Sequence, residues 1–396
     1  MRILYLAPHP FYQERGSPIA AKMLLDILDE RGAEVDLVTY NEGDDVSFRH
    51  VRHIRTPDLP FLRGIRPGFS AKKLVADVFM FFIVLRLLLR QRYDVIHAVE
   101  ETAFFAALLK PLFRTPYIYD MDSSLAQQMV EQMPALGGLA RVLGAFEGLA
   151  VRHAEVVVAV CDALADIARG HGAKRVMLLY DVPMLAAHDG AAVEDVRKAA
   201  GIEGQVVMYV GNLQPYQGID LLLESFALAA DRLDDTHVVI IGGNEKDIEA
   251  YRAKAAGLGV GERVHFLGPR PVEHLAAYLA QATILASPRI KGNNTPMKIY
   301  SYLDSGRPTL ATDLWTHTQV LSDRVSVLTA PEPAAYAEGL VRLAQDAALR
   351  DRLGAAGRAL VVERYSHDVF KASVDRLLEY LDAGPGGRSE LLTLNS

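Results

Sequence analysis

The chain has 396 residues, half of them apolar and 23% charged, with a formal net charge of −7 at pH 7. That length predicts two domains rather than one, and the acidic balance excludes a general nucleic-acid binder, which would carry a strongly basic face. A single cysteine, Cys161, excludes an intrachain disulfide and most cysteine-built metal sites, and fits a reducing compartment.

From the amino terminus, MRILYLAP runs straight into a strand pattern, without the apolar core and small-residue cleavage site of a signal peptide. The expectation is a cytoplasmic protein. Buried strands are predicted over 2–8, 34–40, 93–99, 115–121 and 155–161, alternating with helices over 17–31, 70–91, 101–112, 123–133 and 138–153. Strand–helix alternation of this kind builds a doubly wound parallel sheet. After the first strand, HPFYQERGSPIAA places Gly16 at a loop-to-helix junction. No G-x-G-x-x-G follows that strand, which counts against a dinucleotide-dependent dehydrogenase.

The run LVADVFMFFIVLRLLL (74–89) is broken by Asp77 and Arg86 and is too short for a membrane span. Residues 61–92 around it carry seven Lys/Arg (63, 66, 72, 73, 86, 90, 92) against one acid, Asp77, a local charge of +6. Two readings stand: docking on an anionic membrane surface, or a buried helix with a solvated basic edge. His97 lies inside an apolar strand and reads as a core histidine. Asp120 and Asp122, in YDMDSS, fall at a strand's carboxyl end, where ligand-facing residues lie; Asp122 reads equally well as an N-cap.

The pattern then restarts. A boundary is expected within 181–200, where strand character gives way to small and acidic residues, and the domains are drawn as 1–185 and 186–365. Strands follow at 205–212, 236–243, 262–269, 282–288 and 308–313, with helices near 218–231, 245–257, 272–280 and 296–305. Ala/Leu/Arg-rich helices fill 333–382; the last, 366–383, is expected to pack back toward the first domain, ahead of a disordered tail at 384–396. Two such domains usually leave a cleft facing the carboxyl ends of both sets of strands.

Three segments of the second half carry the punctuation of an anion site. In KGNNTPMKIYSYLDSGRP (291–308), Thr295 suits an N-cap, Pro296 the first helical position and Gly306 the stop. Such a helix offers backbone N–H groups at 294–297 and its positive dipole end. Lys298 in that first turn runs against the usual acidic preference, and an anion between cation and helix end would explain it. In YVGNLQPYQGIDLLLESF (209–226), Gly211 and Gly218 permit close backbone approach to a ligand, and IIGGN (240–244) is a second glycine-rich strand end. The histidines lack ligand spacing, so no metal site is expected.

Together these loops resemble the retaining glycosyltransferases of the two-domain GT-B fold, family four (glycosyl transferases group 1), over nearly the whole chain. The resemblance is strongest over 205–320, in YVGNLQPYQGIDLLLESF, HFLGPRPVEHLAAYLAQATILASP and NNTPMKIYSYLDSGRPTLATD; the loop 14–18 and AVCDALAD (159–166) also match. It implies two Rossmann-like domains facing a central cleft, with donor bound by the second and acceptor by the first. It also implies sugar transfer with retention from a nucleoside-diphosphate sugar, without metal or cofactor. The acceptor would be lipid-linked or a saccharide, in glycolipid or cell-surface polysaccharide synthesis, with the enzyme cytoplasmic or peripheral on the inner face of the membrane.

The same resemblance assigns roles. The donor would meet Gly16, Gly211, Asn212, Gln217, Gly218, Arg289, Lys291, Asn293, Asn294, Thr295 and Ser301, with Lys298, Arg289 and Lys291 on the leaving diphosphate. Asp120 or Asp122 would contact sugar or acceptor. This chain departs from the family at its glutamate pair, replaced by Asn293 (donor sugar) and Ser301 (ribose), and at its basic pair, replaced by Asn212 and Gln217. The alternatives are a non-catalytic sugar-nucleotide-binding or scaffold homologue, or an epimerase or phosphorylase of the same fold.

Overall fold

The computed structural model describes residues 1–13, 16–65, 70–124, 140–185, 193–233 and 235–383. Most of the helix expected over 123–133, part of the loop 14–18, Arg66, part of the boundary region and the tail 384–396 lie outside the described residues. The chain divides into two units, one of residues 1–180 with 370–396 and one of residues 181–369.

The first unit is built on a parallel sheet of seven strands: β1 (Arg2–Ala7), β2 (Glu34–Thr39), β3 (Val51–Arg55), β4 (Val95–Val99), β5 (Tyr117–Met121), β6 (Val156–Ala159) and β7 (Val176–Leu178). Their order is β3-β2-β1-β4-β5-β6-β7. The inner strands β4, β5 and β6 are buried at every residue, as apolar runs sandwiched between helical layers must be. Sequence reading missed β3 and β7, both lateral strands only half-buried; β3 reads Val-Arg-His-Ile-Arg and hides no continuous apolar run.

Helices α1 (Gly16–Glu30), α2 (Ala71–Arg90) and α3 (Thr102–Phe113) cover this sheet, together with Ala140–His153 and Asp162–Gly170. Ser70 caps α2, its side chain accepting from the Lys73 N–H at 3.2 Å. The buried stripe of α2 is Ala76, Met80, Val84 and Leu88, at strict i+4 spacing. Each large member contributes roughly 1.5–3 kcal/mol by leaving water. The terminal helix His367–Asp382 joins this unit from Phe370 onward, where Lys371 pairs with Glu30 and the Tyr380 hydroxyl donates to Glu155 at 3.0 Å.

The second unit repeats the scheme with β8 (Gln205–Val210), β9 (Thr236–Ile241), β10 (Val264–Gly268), β11 (Ile284–Ser287), β12 (Thr309–Thr312) and β13 (Ser326–Thr329), ordered β10-β9-β8-β11-β12-β13. Here β13 was not anticipated. The strand order reverses between β8 and β11, both of which lead into loops at their carboxyl ends. Ligands of doubly wound sheets sit in the crevice at such a switch point.

Candidate active site

Three segments converge beyond the switch point of the second sheet. The first leaves β8 at Gly211, whose φ is +145°; the next, Gly218, has φ +74° and a Cβ there would lie 1.9 Å from the Pro288 carbonyl oxygen. Gly242, from the end of β9, approaches so closely that a Cβ would fall 2.2 Å from the Gly211 carbonyl oxygen. Only glycine satisfies both demands at these positions. The third segment runs from β11 through Arg289 into the helix Lys298–Asp304.

That helix starts later than the sequence suggests. Thr295 caps nothing: the N-cap is Met297, and Ile299 N–H donates to the Pro296 carbonyl at 2.9 Å. A tight turn at Pro296 and Met297 replaces the expected first helical turn, leaving Thr295 buried with an Oγ1 that has no partner among the described residues. Gly306 does stop the helix, with φ +69°.

Lys298 is the centre of the site. It is part-buried, its Nζ lies 3.9 Å from the Tyr209 ring centroid, and it donates to the Gln217 side-chain oxygen at 3.3 Å. Its polar partner is thus a neutral amide, and no carboxylate pairs with it among the described residues. Burial, then the nearby Arg289 guanidinium, push its ammonium pKa well below the ordinary value. Buried Arg289 packs over the Tyr216 ring at 5.2 Å and donates to the Lys291 carbonyl at 2.6 Å and the Asn294 side-chain oxygen at 3.2 Å. A Cβ at Gly292 would sit 2.3 Å from that guanidinium.

The remaining assigned residues fall into two groups. Asn293 and Asn294 lie on the same loop, their carbonyls held by Gln319 at 2.7 Å and Thr316 at 2.6 Å, while Lys291 is exposed. Asn212 is exposed on the β8 loop, where its side chain accepts from the Gln214 N–H at 3.2 Å. Ser301, assigned to the ribose, is fully buried and its Oγ accepts from the Met184 N–H at 3.0 Å.

Sequence reasoning missed His317. It is completely buried, with one ring nitrogen 2.9 Å from Ser287 Oγ and the other 3.0 Å from the Thr312 carbonyl, while Thr312 Oγ1 donates to the Arg289 carbonyl at 2.6 Å. Burial lowers its pKa to about 3, so it is neutral at pH 7 and braces the carboxyl ends of β11 and β12 beneath Arg289. No motif announces it.

In the first unit, Gly16 opens α1 and is exposed. Asp120 is buried and lies 2.8 Å from His97 Nε2, and the His97 ring stacks on Tyr5 at 4.5 Å. His97 is therefore a satisfied core histidine, and Asp120 is committed to it. Asp122 follows directly after β5 and is part-buried. An unanticipated charge cluster lies at the carboxyl end of β4. Lys73 sits 2.7 Å from Glu101 and 3.7 Å from Glu100, and Tyr40 donates to Asp77 at 2.5 Å. Burial raises Glu101 to about 8 and Asp77 to about 6. Glu100 has φ +48°, a strained setting for a non-glycine residue. Among the described residues no group of three or more His, Cys, Asp or Glu side chains is gathered to hold a metal.

The basic excess of 61–92 is partly neutralised from outside the segment: Arg63 pairs with Asp58 at 2.8 Å and Lys73 with Glu101. What remains is a surface. Phe82 and Leu89 on α2 are 60% and 70% exposed, and Leu112 on α3 is 74% exposed; Val142, Phe146 and Leu149 on the helix Ala140–His153 are also exposed. The acids of these helices are withdrawn: Asp77 accepts from Tyr40, and Glu147 is 1% exposed and accepts from Ser124 at 3.0 Å. Arg86, Arg90, Arg114 and Arg152 stay exposed. No helix among the described residues is long and apolar enough to cross a membrane.

Two doubly wound parallel units, the second carrying Lys298 and Arg289 beyond its switch point, match the GT-B architecture. Residues 15–180 match the family described as "Glycosyl transferase 4-like domain" and residues 204–346 match "Glycosyl transferases group 1". Each unit of the chain thus matches a glycosyltransferase family model. It is similar to a phosphatidyl-myo-inositol mannosyltransferase of Mycobacterium leprae, 30% identical over 179 residues, covering 44% of this chain and 46% of that protein. The match thus spans about half the length of that curated relative. A sucrose-phosphate synthase of Thermosynechococcus elongatus shares the fold with a TM-score of 0.78 at 18% identity, covering 96% of this chain and 98% of that one. So does the Anabaena protein HepE, solved with UDP-glucose, with a TM-score of 0.72 at 18% identity, covering 96% and 99%.

Proposed function

We propose that the protein is a retaining, metal-independent glycosyltransferase that moves a sugar from a nucleoside-diphosphate sugar to a lipid-linked or saccharide acceptor. The observation that carries this reading is Lys298: a part-buried cation with a depressed pKa and only a neutral amide and an aromatic face for company. An anion seated beside it recovers the energy lost to burial, and a leaving diphosphate is the anion such a fold handles. Lys298, Arg289 and exposed Lys291 stabilise the developing charge. Thr295 Oγ1 supplies a free hydroxyl donor, and the Asn293 and Asn294 amides orient the sugar. Support for the donor class comes from HepE, solved with UDP-glucose.

The test is a thermal-shift series with UDP-, GDP-, ADP- and TDP-sugars, on wild type and Lys298→Ala. One donor should raise the wild-type midpoint and fail to raise that of the variant; a donor shift that survives in Lys298→Ala overturns the assignment. Tight donor binding without turnover, given a competent acceptor, would favour a non-catalytic homologue.

The face formed by α2, α3 and Ala140–His153 supports a second element of the proposal: a cytoplasmic enzyme docked peripherally on an anionic bilayer. Exposed aromatic and aliphatic side chains enter the headgroup boundary while Arg86, Arg90, Arg114 and Arg152 meet lipid phosphates. The Mycobacterium leprae relative, a phosphatidyl-myo-inositol mannosyltransferase by name, supports a lipid-linked acceptor.

A further inference from the structure

A polar pocket lies in the unit 181–369, at the end of its sheet opposite Lys298. Its volume is about 410 Å³, within the range of small-molecule sites. It is lined at the amino end of β11 by residues 280–283, at the amino end of β12 by Gly306, Arg307 and Pro308, and by Arg197, Arg350 and Asp351. Lys298 and Arg289 belong to the carboxyl side of the same strands, so the two sites are separate.

Each arginine is half-buried and anchored to backbone. Arg197 donates through Nε and Nη1 to the Gln281 and Gly204 carbonyls, Arg307 through Nη2 to the Ala280 carbonyl, and Arg350 through Nη1 to the Leu343 and Ala344 carbonyls. None pairs with a carboxylate among the described residues. Arg197 Nη2, Arg307 Nε and Nη1, and Arg350 Nε and Nη2 keep their donors unused there. Three guanidiniums against the single carboxylate of Asp351 leave two net positive charges on a cavity wall whose side chains are already held in place.

We propose that this pocket binds a small phosphate-bearing anion, a dianion such as a phosphate monoester, separately from any donor. Planar guanidiniums match phosphate oxygens by paired N–H donation, and a phosphate group carrying about −1.5 to −2 at pH 7 balances the excess charge. A close packing fixes the geometry: a Cβ at Gly354 would lie 2.0 Å from the Gly306 carbonyl oxygen, so the helix Ala347–Arg364 presses Arg350 against the loop that carries Arg307.

The experiment is calorimetric titration of the full chain with inorganic phosphate at constant ionic strength, with chloride as the monovalent comparison. A phosphate site in the millimolar range or tighter, about −4 kcal/mol or better, should persist in Lys298→Ala. Arg307→Gln combined with Arg350→Gln should weaken binding roughly tenfold or more. Those arginines also hold backbone carbonyls, so Asp351→Asn is the companion variant. Asp351 is exposed, and its neutralisation should strengthen phosphate binding about threefold. Binding lost in Lys298→Ala would place the phosphate in the donor site. Binding absent in wild type, matched by chloride, or indifferent to both the arginine pair and Asp351→Asn would equally overturn the proposal.

Discussion

The Lys298 ammonium sits over the face of Tyr209, 3.9 Å from its centroid, and the Tyr209 hydroxyl reaches across to donate to the Asn212 carbonyl at 2.6 Å. One aromatic ring thereby ties the β8 loop to the lysine that the donor reading depends on. Cation–π contact offsets part of the desolvation of the ammonium, by roughly 0.5–2 kcal/mol, and leaves the N–H donors not given to Gln217 for an anion.

Lys298→Met should separate stability from function. The lysine's folded pKa lies below its unfolded value, so the unfolded chain binds more protons and wild-type stability rises with pH in the alkaline range. Methionine removes that slope and the buried charge, and the thermal midpoint at pH 7 should rise or hold. Turnover with the identified donor should fall about 10²–10³-fold, the usual loss on removing one charge-stabilising group. A variant that keeps wild-type turnover sinks the role of Lys298.

Gly218→Ala combines a left-handed backbone with a Cβ 1.9 Å from the Pro288 carbonyl oxygen, next to Arg289. Strain of this kind amounts to about 1–3 kcal/mol, and any relief moves the Arg289 segment. Chemical denaturation should show that loss together with weaker donor binding. Gly257→Ala, at a helix end with nothing within 4 Å of its Cβ, is the control and should be neutral or slightly stabilising.

His317 makes the fold acid-sensitive. Its folded pKa of about 3 lies below the ordinary 6.5, so the unfolded state binds the extra proton between those values. Stability is therefore lost as pH falls from 6.5 toward 3, by about 2–3 kcal/mol at pH 4.5. Guanidinium midpoints at pH 7 and pH 4.5 should converge in His317→Gln relative to wild type. An unchanged pH difference would assign the sensitivity elsewhere.

On the proposed bilayer face, Phe82→Glu with Leu89→Glu should cut the partition constant for phosphatidylglycerol-containing vesicles about a hundredfold or more, since each buried apolar side chain contributes roughly 1.5–3 kcal/mol. Arg86→Glu with Arg90→Glu should flatten the salt dependence. Leu228→Glu, equally exposed on the second unit, should do neither. Equal losses in all three would point to general insolubility rather than docking.

Much of the scaffold was legible along the chain. The inner strands and the helices Gly16–Glu30 and Ala71–Arg90 fall where apolar periodicity places them, because burial on one face writes a local repeat. Lateral strands such as Val51–Arg55 escape that reading because they hide too little apolar surface. The helix after Thr295 starts late because Pro296 and Met297 spend their carbonyls on a tight turn.

By itself the sequence determined the two strand–helix alternations, the glycines at 211, 218 and 306, and the presence of a lysine beside a helix start. All of these are properties of neighbours in the chain. Only tertiary structure decided the electrostatics. Lys298 loses its ordinary pKa because Tyr209 and Arg289 close on it, and Asp120 is claimed by His97. Ser301 Oγ accepts from the Met184 N–H, 117 positions away. The charge state and availability of a side chain follow from the solvent and partners it loses on folding, and those come from segments that no local pattern brings together.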